Sequence, residues 1–200
     1  MNEYQIKRVH AAPDWSQIPV TEVSNVVWVP DAGIRMWHQA CYDENALYVH
    51  QRCQEKNIRA EHTGPMDMVC EDSCMEFFFS PYEENLRYIN IEINPNGAVY
   101  LGLYETRKNG IRMVPTNAKA LLDIHTARTE DGWEVFYRVP LSLIRLVNPA
   151  FTFQSGRVIP ANCFKCGDLT PQEHYITWNP MSTENPDYHR PQDFGRMVLE

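Results

Sequence analysis

Short runs of hydrophobic residues recur along the chain every dozen residues or so, with turn-forming residues between them and almost no helical periodicity. Alternation of apolar and polar positions over four to eight residues is typical of half-buried β-strands. The pattern predicts strands near residues 24–29, 34–42, 46–54, 73–80, 87–94, 97–106, 121–128, 132–139, 157–166, 174–178 and 195–199. Many short strands at this spacing predict an antiparallel β-sandwich.

The segments between the strands agree with that fold. Asn96–Gly97 and Asp131–Gly132 place residues that tolerate positive φ where tight turns are needed. One short helix is predicted in "PLSLIRLV", opened by Pro140. Seven of the fourteen prolines lie between 140 and 191, which predicts long Pro-rich loops in the C-terminal third. We therefore predict an all-β protein, an antiparallel β-sandwich with jelly-roll or immunoglobulin-like layering, built as a single domain over residues 1–200.

The segment "DSCMEFFFSPYEENLRYINIEIN" predicts a hairpin whose two faces differ. Side chains alternate along a strand, so one face carries Met75, Phe77 and Phe79 with three isoleucines of the partner strand. If position 80 faces position 88, Glu76 lies directly opposite Glu92 on the other face. Like charges at opposed positions destabilise a sheet. The polar face of this hairpin comprises Cys74, Glu76, Phe78, Ser80, Tyr88, Asn90, Glu92 and Asn94.

Two interpretations of that polar face stay open on the sequence alone. A face exposed to water would also be polar, and two solvated glutamates cost little. Aromatic rings beside amides and carboxylates, however, are suited to binding a sugar, because rings cover its C–H faces while acceptors and donors hold its hydroxyls.

Composition and charge exclude several classes of partner. The net charge is −8 and the pI about 5.4, and Lys and Arg are scattered rather than clustered, so neither nucleic acid nor an anionic membrane is an expected partner. No run of 18 apolar residues is present, and "MNEYQIKRVH" lacks the apolar segment of a signal peptide. The chain is expected to be soluble, cytoplasmic as it stands and extracytoplasmic if a leader has been removed.

The cysteines allow three interpretations: buried thiols, disulfides or a structural zinc site. Zinc would use the two close pairs Cys70–Cys74 and Cys163–Cys166, as tetrahedral thiolate sites do. The three-residue spacing of the first pair, running directly into a strand, favours plain buried thiols, and zinc is disfavoured.

Several blocks, in this order, carry a family likeness: "DSCMEFFFSP", "YINIEIN", "GWEVFYRVPLSLI", "ANCFKCGD", "HYITWNP" and "PDYHRPQDFG". From about residue 30 to 200 the chain resembles the family 9 carbohydrate-binding modules and the wider DOMON-like group of β-sandwiches. The resemblance implies a sandwich that binds a saccharide without catalysis, often attached to xylanases or other polysaccharide-degrading enzymes. It implies no cofactor, although calcium is compatible with the family.

The resemblance also implies site residues. Glu76 matches a carboxylate of the family's "D-S-x-E" strand, Asn90 and Glu92 match polar positions on the next strand, and Asn185 with Tyr188 match an Asn and the second stacking aromatic. The loop that would supply the first stacking tryptophan reads "MDMVCED" and contains no aromatic residue. The full set of predicted ligand-binding residues is Glu76, Phe78, Tyr88, Asn90, Glu92, Lys165, Asn185, Tyr188, His189 and Arg190.

The remaining candidates have weaker support. Lys165 in "CFKCGD" either edges the site or forms a structural salt bridge. His189 and Arg190 raise the hypothesis of an anionic sugar, because Arg pairs with carboxylates. Haem held by Met and His, as in some DOMON-like relatives, is disfavoured, since eight Met and seven His produce such pairs by chance.

Three functions compete at this point. The first is a non-catalytic saccharide-binding module. The second is a glycoside hydrolase with Glu76 and Glu92 as the acid and the nucleophile or base, although carboxyls opposed on adjacent strands are too close for that chemistry. The third is an interaction or scaffold sandwich that has lost its ligand.

Overall fold

The computed structural model describes residues 1–83 and 85–200, and over these residues it confirms the all-β sandwich. Its fourteen strands are β1 (Glu3–Arg8), β2 (Thr21–Val23), β3 (Asn25–Val26), β4 (Arg35–Tyr42), β5 (Ala46–Gln54), β6 (Cys74–Phe79), β7 (Tyr88–Ile93), β8 (Val99–Thr106), β9 (Asn109–Arg112), β10 (His125–Arg128), β11 (Gly132–Pro140), β12 (Val158–Cys166), β13 (Tyr175–Thr177) and β14 (Gly195–Leu199). Two α-helices, α1 (Ala118–Leu121) and α2 (Leu141–Val147), and three short 3-10 helices, Trp15–Gln17, Val69–Glu71 and Pro191–Asp193, complete the described elements.

The strands form two layers that share a hydrophobic core. The layer we name the site sheet runs β14-β12-β6-β7-β8-β9, with β13 beside β12 and β3 beside β13. The other layer, the back sheet, runs β10-β11-β5-β4 with β2 at its edge. β1 joins the layers, because its first half pairs in parallel with β14 and its last two residues pair in parallel with β4. This parallel strand is a feature that the predicted antiparallel sandwich lacked.

The core lies between the inner faces of the two sheets, where alternation places apolar side chains. The site sheet contributes Phe77 and Ile91, and the back sheet contributes Val49 and Trp133, all of them fully buried. At about 25 cal/mol for each Å² of buried apolar surface, this interface is the main source of stability. Trp178, directly after β13, is also buried there.

The predicted strands agree with the structure in most places. The predicted helix at "PLSLIRLV" is confirmed as α2, and the two strands 34–42 and 46–54 coincide closely with β4 and β5. The prediction of a strand from residue 121 is wrong at its start, because residues up to Leu121 form α1. Asn117 caps that helix by accepting from the main-chain N–H of Ala120 at 3.0 Å, and alanine, lysine and leucine favour the helix.

Three strands were not predicted: β1, β2 and β9. Neither β1 nor β9 contains a hydrophobic run: β1 buries only Tyr4 and Ile6, and β9 has no buried position, so its pairing with β8 holds it in the sheet. The turn that joins β6 to β7 contains residue 84, which lies outside the described residues. None of the described helices is long and apolar enough to cross a membrane.

Candidate functional site

The outer face of the site sheet carries a second, separate cluster of buried side chains. In the order of the strands, β12 contributes Phe164 and Cys166, β6 contributes Cys74, Glu76 and Phe78, and β7 contributes Tyr88, Asn90 and Glu92. Loops around residues 27–29, 69–71 and 181–190 pack on this face, so it is not open to water in the manner of an ordinary exposed sheet face. Of the two interpretations drawn from the sequence, a simply solvated face is therefore wrong.

Two glutamates lie at the centre of this outer face. Glu76 and Glu92 are directly opposed in the β6–β7 pair, as the alternation predicted. Their side chains are buried, with 3% and 7% of their surface exposed. Cys166 Sγ donates to Glu76 Oε1 at 3.0 Å, and Asn90 Nδ2 donates to Glu92 Oε1 at 2.9 Å. Each acid thus has one donor, fewer than a buried carboxylate needs to remain ionised at low cost.

The electrostatics of this acid pair follow from burial. Burial raises the pKa of Glu92 to about 7, with the negative charge of Asp168 acting in the same direction and the donor Asn90 against it. Burial and the opposed charge of Glu92 raise the pKa of Glu76 well above its usual range. The pair therefore keeps a proton at a pH at which exposed glutamates have lost theirs.

Aromatic rings pack on the same face of the sheet as the two acids. Phe78 stacks on Tyr88 with ring centroids 5.6 Å apart, and Phe164 stacks on Tyr188 at 4.1 Å. The ring of Tyr188 is buried, and its hydroxyl donates to the main-chain oxygen of Lys165 at 3.1 Å. Tyr188 therefore lies within the packed layer, and a ligand cannot stack on it without displacing its neighbours.

The rim of the site carries rings that are only half-buried: Trp28, Tyr100 and Tyr104. The Trp28 ring lies 5.3 Å from that of Tyr188, and its Nε1 donates to the main-chain oxygen of Thr183 at 2.8 Å. Trp28 has a φ of 65°, a backbone conformation that a bulky residue rarely adopts. Trp28 is not among the residues predicted for the site; its only signal in the sequence is a tryptophan two residues before a proline at the end of an apolar run.

Gly102 explains how Tyr104 fits against this face. Gly102 lies opposite Asn90 in the β7–β8 pair, and a Cβ atom at this position would be 2.4 Å from the Tyr104 ring. The missing side chain therefore lets Tyr104 fold over the strand, where its hydroxyl contacts that of Tyr100. The guanidinium of Arg112 lies 4.0 Å from the centroid of the Tyr100 ring, a cation–π contact that fixes the rim.

His189 closes the site above Tyr88. Its Nδ1 lies 2.7 Å from the Tyr88 hydroxyl, and its ring packs 4.9 Å from that of Tyr104. Burial lowers the pKa of His189 to about 4, so the imidazole is neutral at physiological pH. The guanidinium of Arg190 bonds to Asp193 at 3.1 Å. Neither group offers a free positive charge, which disfavours the hypothesis of an anionic sugar.

Three predicted site residues, Lys165, Asn185 and Arg190, lie outside the group around the acid pair, and Arg190 is held by Asp193. Lys165 pairs with Met75 across the β12–β6 ladder and therefore points to the inner face. There its Nζ lies 3.1 Å from Glu55 Oε2 and 2.7 Å from His174 Nε2, so the salt-bridge alternative holds for this lysine. Asn185 is exposed in the loop after β13, where its main-chain N–H donates to Thr183 Oγ1 at 3.3 Å. The structure thus brings together Glu76, Phe78, Tyr88, Asn90, Glu92, Tyr188 and His189.

The cysteines divide between the two faces. Cys74 and Cys166 are directly opposed on the outer face, whereas Cys163 pairs with Phe77 and faces the core. The four cysteines considered for zinc at the outset therefore cannot meet at one ion. All six cysteines are free thiols.

A groove of about 1330 Å³ lies elsewhere, beside the back sheet. Its lining includes Arg52, Lys56, Arg128, Asp131 and Glu134, so charges of both signs alternate around it. Neither acid of the opposed pair reaches this groove. A ligand that needs rings and paired acceptors finds them on the outer face of the site sheet and not here.

Comparisons with known proteins agree with this fold. The model of a family described as Carbohydrate-binding family 9 matches residues 7–199. A crystal structure of a protein from Bacteroides uniformis that is described as carbohydrate-binding is similar with a TM-score of 0.86 and 22% identity, over 99% of each chain. A family 9 module from Caldicellulosiruptor kristjanssonii is similar in its complex with glucose, at a TM-score of 0.70 and 12% identity, over 100% of this chain and 96% of that one.

The same module in complex with cellotriose matches at a TM-score of 0.69 and 12% identity, covering 100% of this chain and 94% of that chain. No curated protein matches this chain. The identities support the shared fold alone. The wider DOMON-like grouping is not tested by these matches and stays a prediction.

Proposed function

The chain belongs to carbohydrate-binding family 9, and we propose that it binds a neutral saccharide on the outer face of its site sheet, without hydrolysing it. The family supplies the class of ligand. The contacts of the outer face support the proposed location of the site and the preference for an uncharged ligand.

One unpaired acceptor supports this proposal most directly. Asn90 Oδ1 is buried beside the acid pair and has no hydrogen-bond partner among the described residues. A buried acceptor without a partner costs about 1–3 kcal/mol. A ligand hydroxyl that reached Asn90 Oδ1 would donate to it and remove that cost, and a second hydroxyl could donate to Glu92.

The charges favour a neutral sugar. Glu76, Glu92 and Asp168 make this region acidic, and an anionic ligand would be repelled. The half-buried rings of Trp28, Tyr100 and Tyr104 can cover the apolar C–H faces of a pyranose. We infer that the half-buried ring of Trp28 takes the part of the stacking ring that the "MDMVCED" loop lacks.

The geometry argues against hydrolysis by the acid pair. A glycosidase places its two carboxyls on opposite sides of the scissile bond, about 5 Å or more apart. Glu76 and Glu92 lie side by side on one face, each held by its own donor. Release of reducing sugar from an oligosaccharide substrate, abolished by Glu76→Gln, would support the enzyme alternative instead. Association with the degradation of xylan or another polysaccharide stays a prediction.

Isothermal titration with glucose, cellotriose and galactose tests the proposal. We expect at least one of these neutral sugars to bind with millimolar or tighter affinity. Trp28→Ala should weaken that binding about tenfold or more, as loss of one stacking ring does. Trp37→Ala is the matched control, because Trp37 is a half-buried tryptophan on the outer face of the back sheet.

Two outcomes would contradict the proposal. Absence of binding for a wide panel of neutral saccharides would leave the scaffold alternative as the better account. Equal affinity in wild type and Trp28→Ala, with a loss in Trp37→Ala, would move the site to the back sheet.

A further inference from the structure

Three potential metal ligands converge on the outer face of the site sheet. Cys74 Sγ, Cys166 Sγ and a carboxylate oxygen of Glu76 all lie within 4.8 Å of one another, and all three residues are buried. The sheet itself produces this arrangement, because Cys74 and Cys166 are opposed in the β6–β12 ladder and Glu76 follows two residues later on the same face. The set stands on two rigid strands rather than on a loop.

The surroundings of the cluster are acidic, and the two cations that act on the glutamates, Lys165 and Arg112, do not bond to either carboxylate among the described residues. Glu92 lies directly opposite Glu76, and the charge of Asp168 acts on both glutamates. No lysine or arginine side chain bonds to Glu76 in the part of the chain that the structure describes. The nearest buried amine, that of Lys165, points to the other face and pairs with Glu55. A buried acidic cluster of this kind is stabilised by a bound cation.

We propose that Cys74, Cys166 and Glu76 bind one Zn²⁺ ion on the same outer face as the proposed saccharide site, next to Glu92. Two thiolates and a carboxylate are ligands that zinc accepts in tetrahedral coordination. The fourth position lies toward Cys70, whose main-chain oxygen is 3.6 Å from Cys166 Sγ. Glu76 is the third ligand in this site. Cys163 cannot be a ligand, because it faces the core.

The distances fit with small adjustments. Zinc–sulfur bonds of about 2.3 Å and zinc–oxygen bonds of about 2.0 Å place ligand atoms roughly 3.5 to 3.8 Å apart in a tetrahedron. Cys166 Sγ and Glu76 Oε1 are now 3.0 Å apart, joined by a thiol hydrogen bond that coordination would replace.

Binding exchanges protons for the metal. Each thiol loses its proton to solvent as its sulfur–zinc bond forms, and Glu76 loses one as well where it is protonated. Zinc affinity should therefore rise with pH. Because the cluster is covered by the turn of residues 69–71, the ion is expected to enter during folding or through local opening of that turn.

Refolding of the full chain with Co²⁺ or Zn²⁺ under reducing conditions tests the proposal. With Co²⁺ we expect one equivalent per chain, with thiolate-to-metal charge-transfer absorption and the visible bands of tetrahedral cobalt. Cys74→Ser and Cys166→Ser should each lower zinc affinity more than about a hundredfold, since even residues that only support ligands change it about 10- to 100-fold. Glu76→Gln should lower it about tenfold or more.

Cys163→Ser is the matched control, because it removes a buried thiol three residues away on the same strand, from the opposite face. It should bind zinc with wild-type affinity. Should the serine variants fail to fold, X-ray absorption on wild-type protein remains decisive: the proposal requires two sulfur ligands at about 2.3 Å with oxygen ligands at about 2.0 Å. Four sulfur ligands, oxygen and nitrogen ligands only, or no bound metal would overturn it. Saccharide binding is not a readout here, so the two proposals fail separately.

Discussion

The inner and outer faces of the β6–β7 hairpin are both buried, yet they are built from different chemistry. The inner face, with Phe77 and Ile91, is entirely apolar and packs on the back sheet. The outer face, with Glu76 and Glu92, is covered by loops and keeps two acids and an unpaired amide oxygen away from water. Burial alone therefore does not distinguish a core from a site. On this hairpin the distinction lies in the kind of side chain that is buried: apolar groups on the inner face, and carboxylates with an amide on the outer face.

The largest contrast between the faces should come from two neighbouring phenylalanines. Phe77→Ala removes a fully buried ring from the core and should lower the free energy of unfolding by about 3–5 kcal/mol. Phe78→Ala removes the ring that packs on Tyr88 and His189, and should lower both stability and saccharide affinity. Denaturant unfolding gives the first quantity and calorimetric titration the second. If folded Phe77→Ala loses as much affinity as Phe78→Ala, the two faces are not functionally separate.

The acid pair predicts an unusual pH dependence of stability. Because the folded pKa of Glu92 is about 7, above its value of 4.5 in the unfolded chain, its contribution is greatest below pH 4.5 and is lost as the pH rises through 7. Relative to Glu92→Gln, wild type should lose about 3 kcal/mol between pH 4.5 and pH 8. Urea unfolding with a chelator present measures this difference.

The control for that experiment is Glu44→Gln, an exposed glutamate in the turn between β4 and β5. It gives the baseline for the loss of one exposed carboxylate. A difference for Glu92→Gln that varies with pH no more than this baseline would mean that solvent or a counter-ion reaches the acid pair freely.

The inner interface should respond to pH in the opposite sense. His38 lies in the back sheet, 5.2 Å from the Phe77 ring, and burial lowers its pKa to about 3. Its neutral form is favoured on folding, so its contribution is present above pH 6.5 and is lost as the pH falls toward 3. At pH 5 the protonation of His38 in the unfolded chain lowers the free energy of unfolding by about 2 kcal/mol. Other buried histidines act in the same direction, so the readout is the difference between wild type and His38→Gln at pH 7.5 and pH 5.

If wild type and His38→Gln lose the same free energy of unfolding between pH 7.5 and pH 5, groups other than His38 cause the loss. His174 and His189, whose pKa values are each lowered to about 4 by burial, would then be the groups to substitute next.

Much of this contrast was predictable from alternation. The period of two separated Met75 and Phe77 from Glu76, and the length of the connecting turn set Glu76 opposite Glu92. Covering of the outer face was not predictable, because it depends on loops whose packing has no sequence period. Trp28 was missed for that reason: it reaches the site through a left-handed backbone turn. Lys165 was predicted at the site from the family block alone. Alternation along β12 puts this lysine on the inner face instead.

The central claim, that the outer face of the site sheet is where the chain binds its saccharide, is tested most directly by amide NMR of ¹⁵N-labelled protein titrated with cellotriose, or with whichever neutral sugar calorimetry shows to bind. The account predicts that the amide shifts concentrate at Trp28, Asn90, Glu92, Tyr100 and His189. Shifts concentrated instead at Arg52, Lys56 and Asp131, around the groove beside the back sheet, would contradict it.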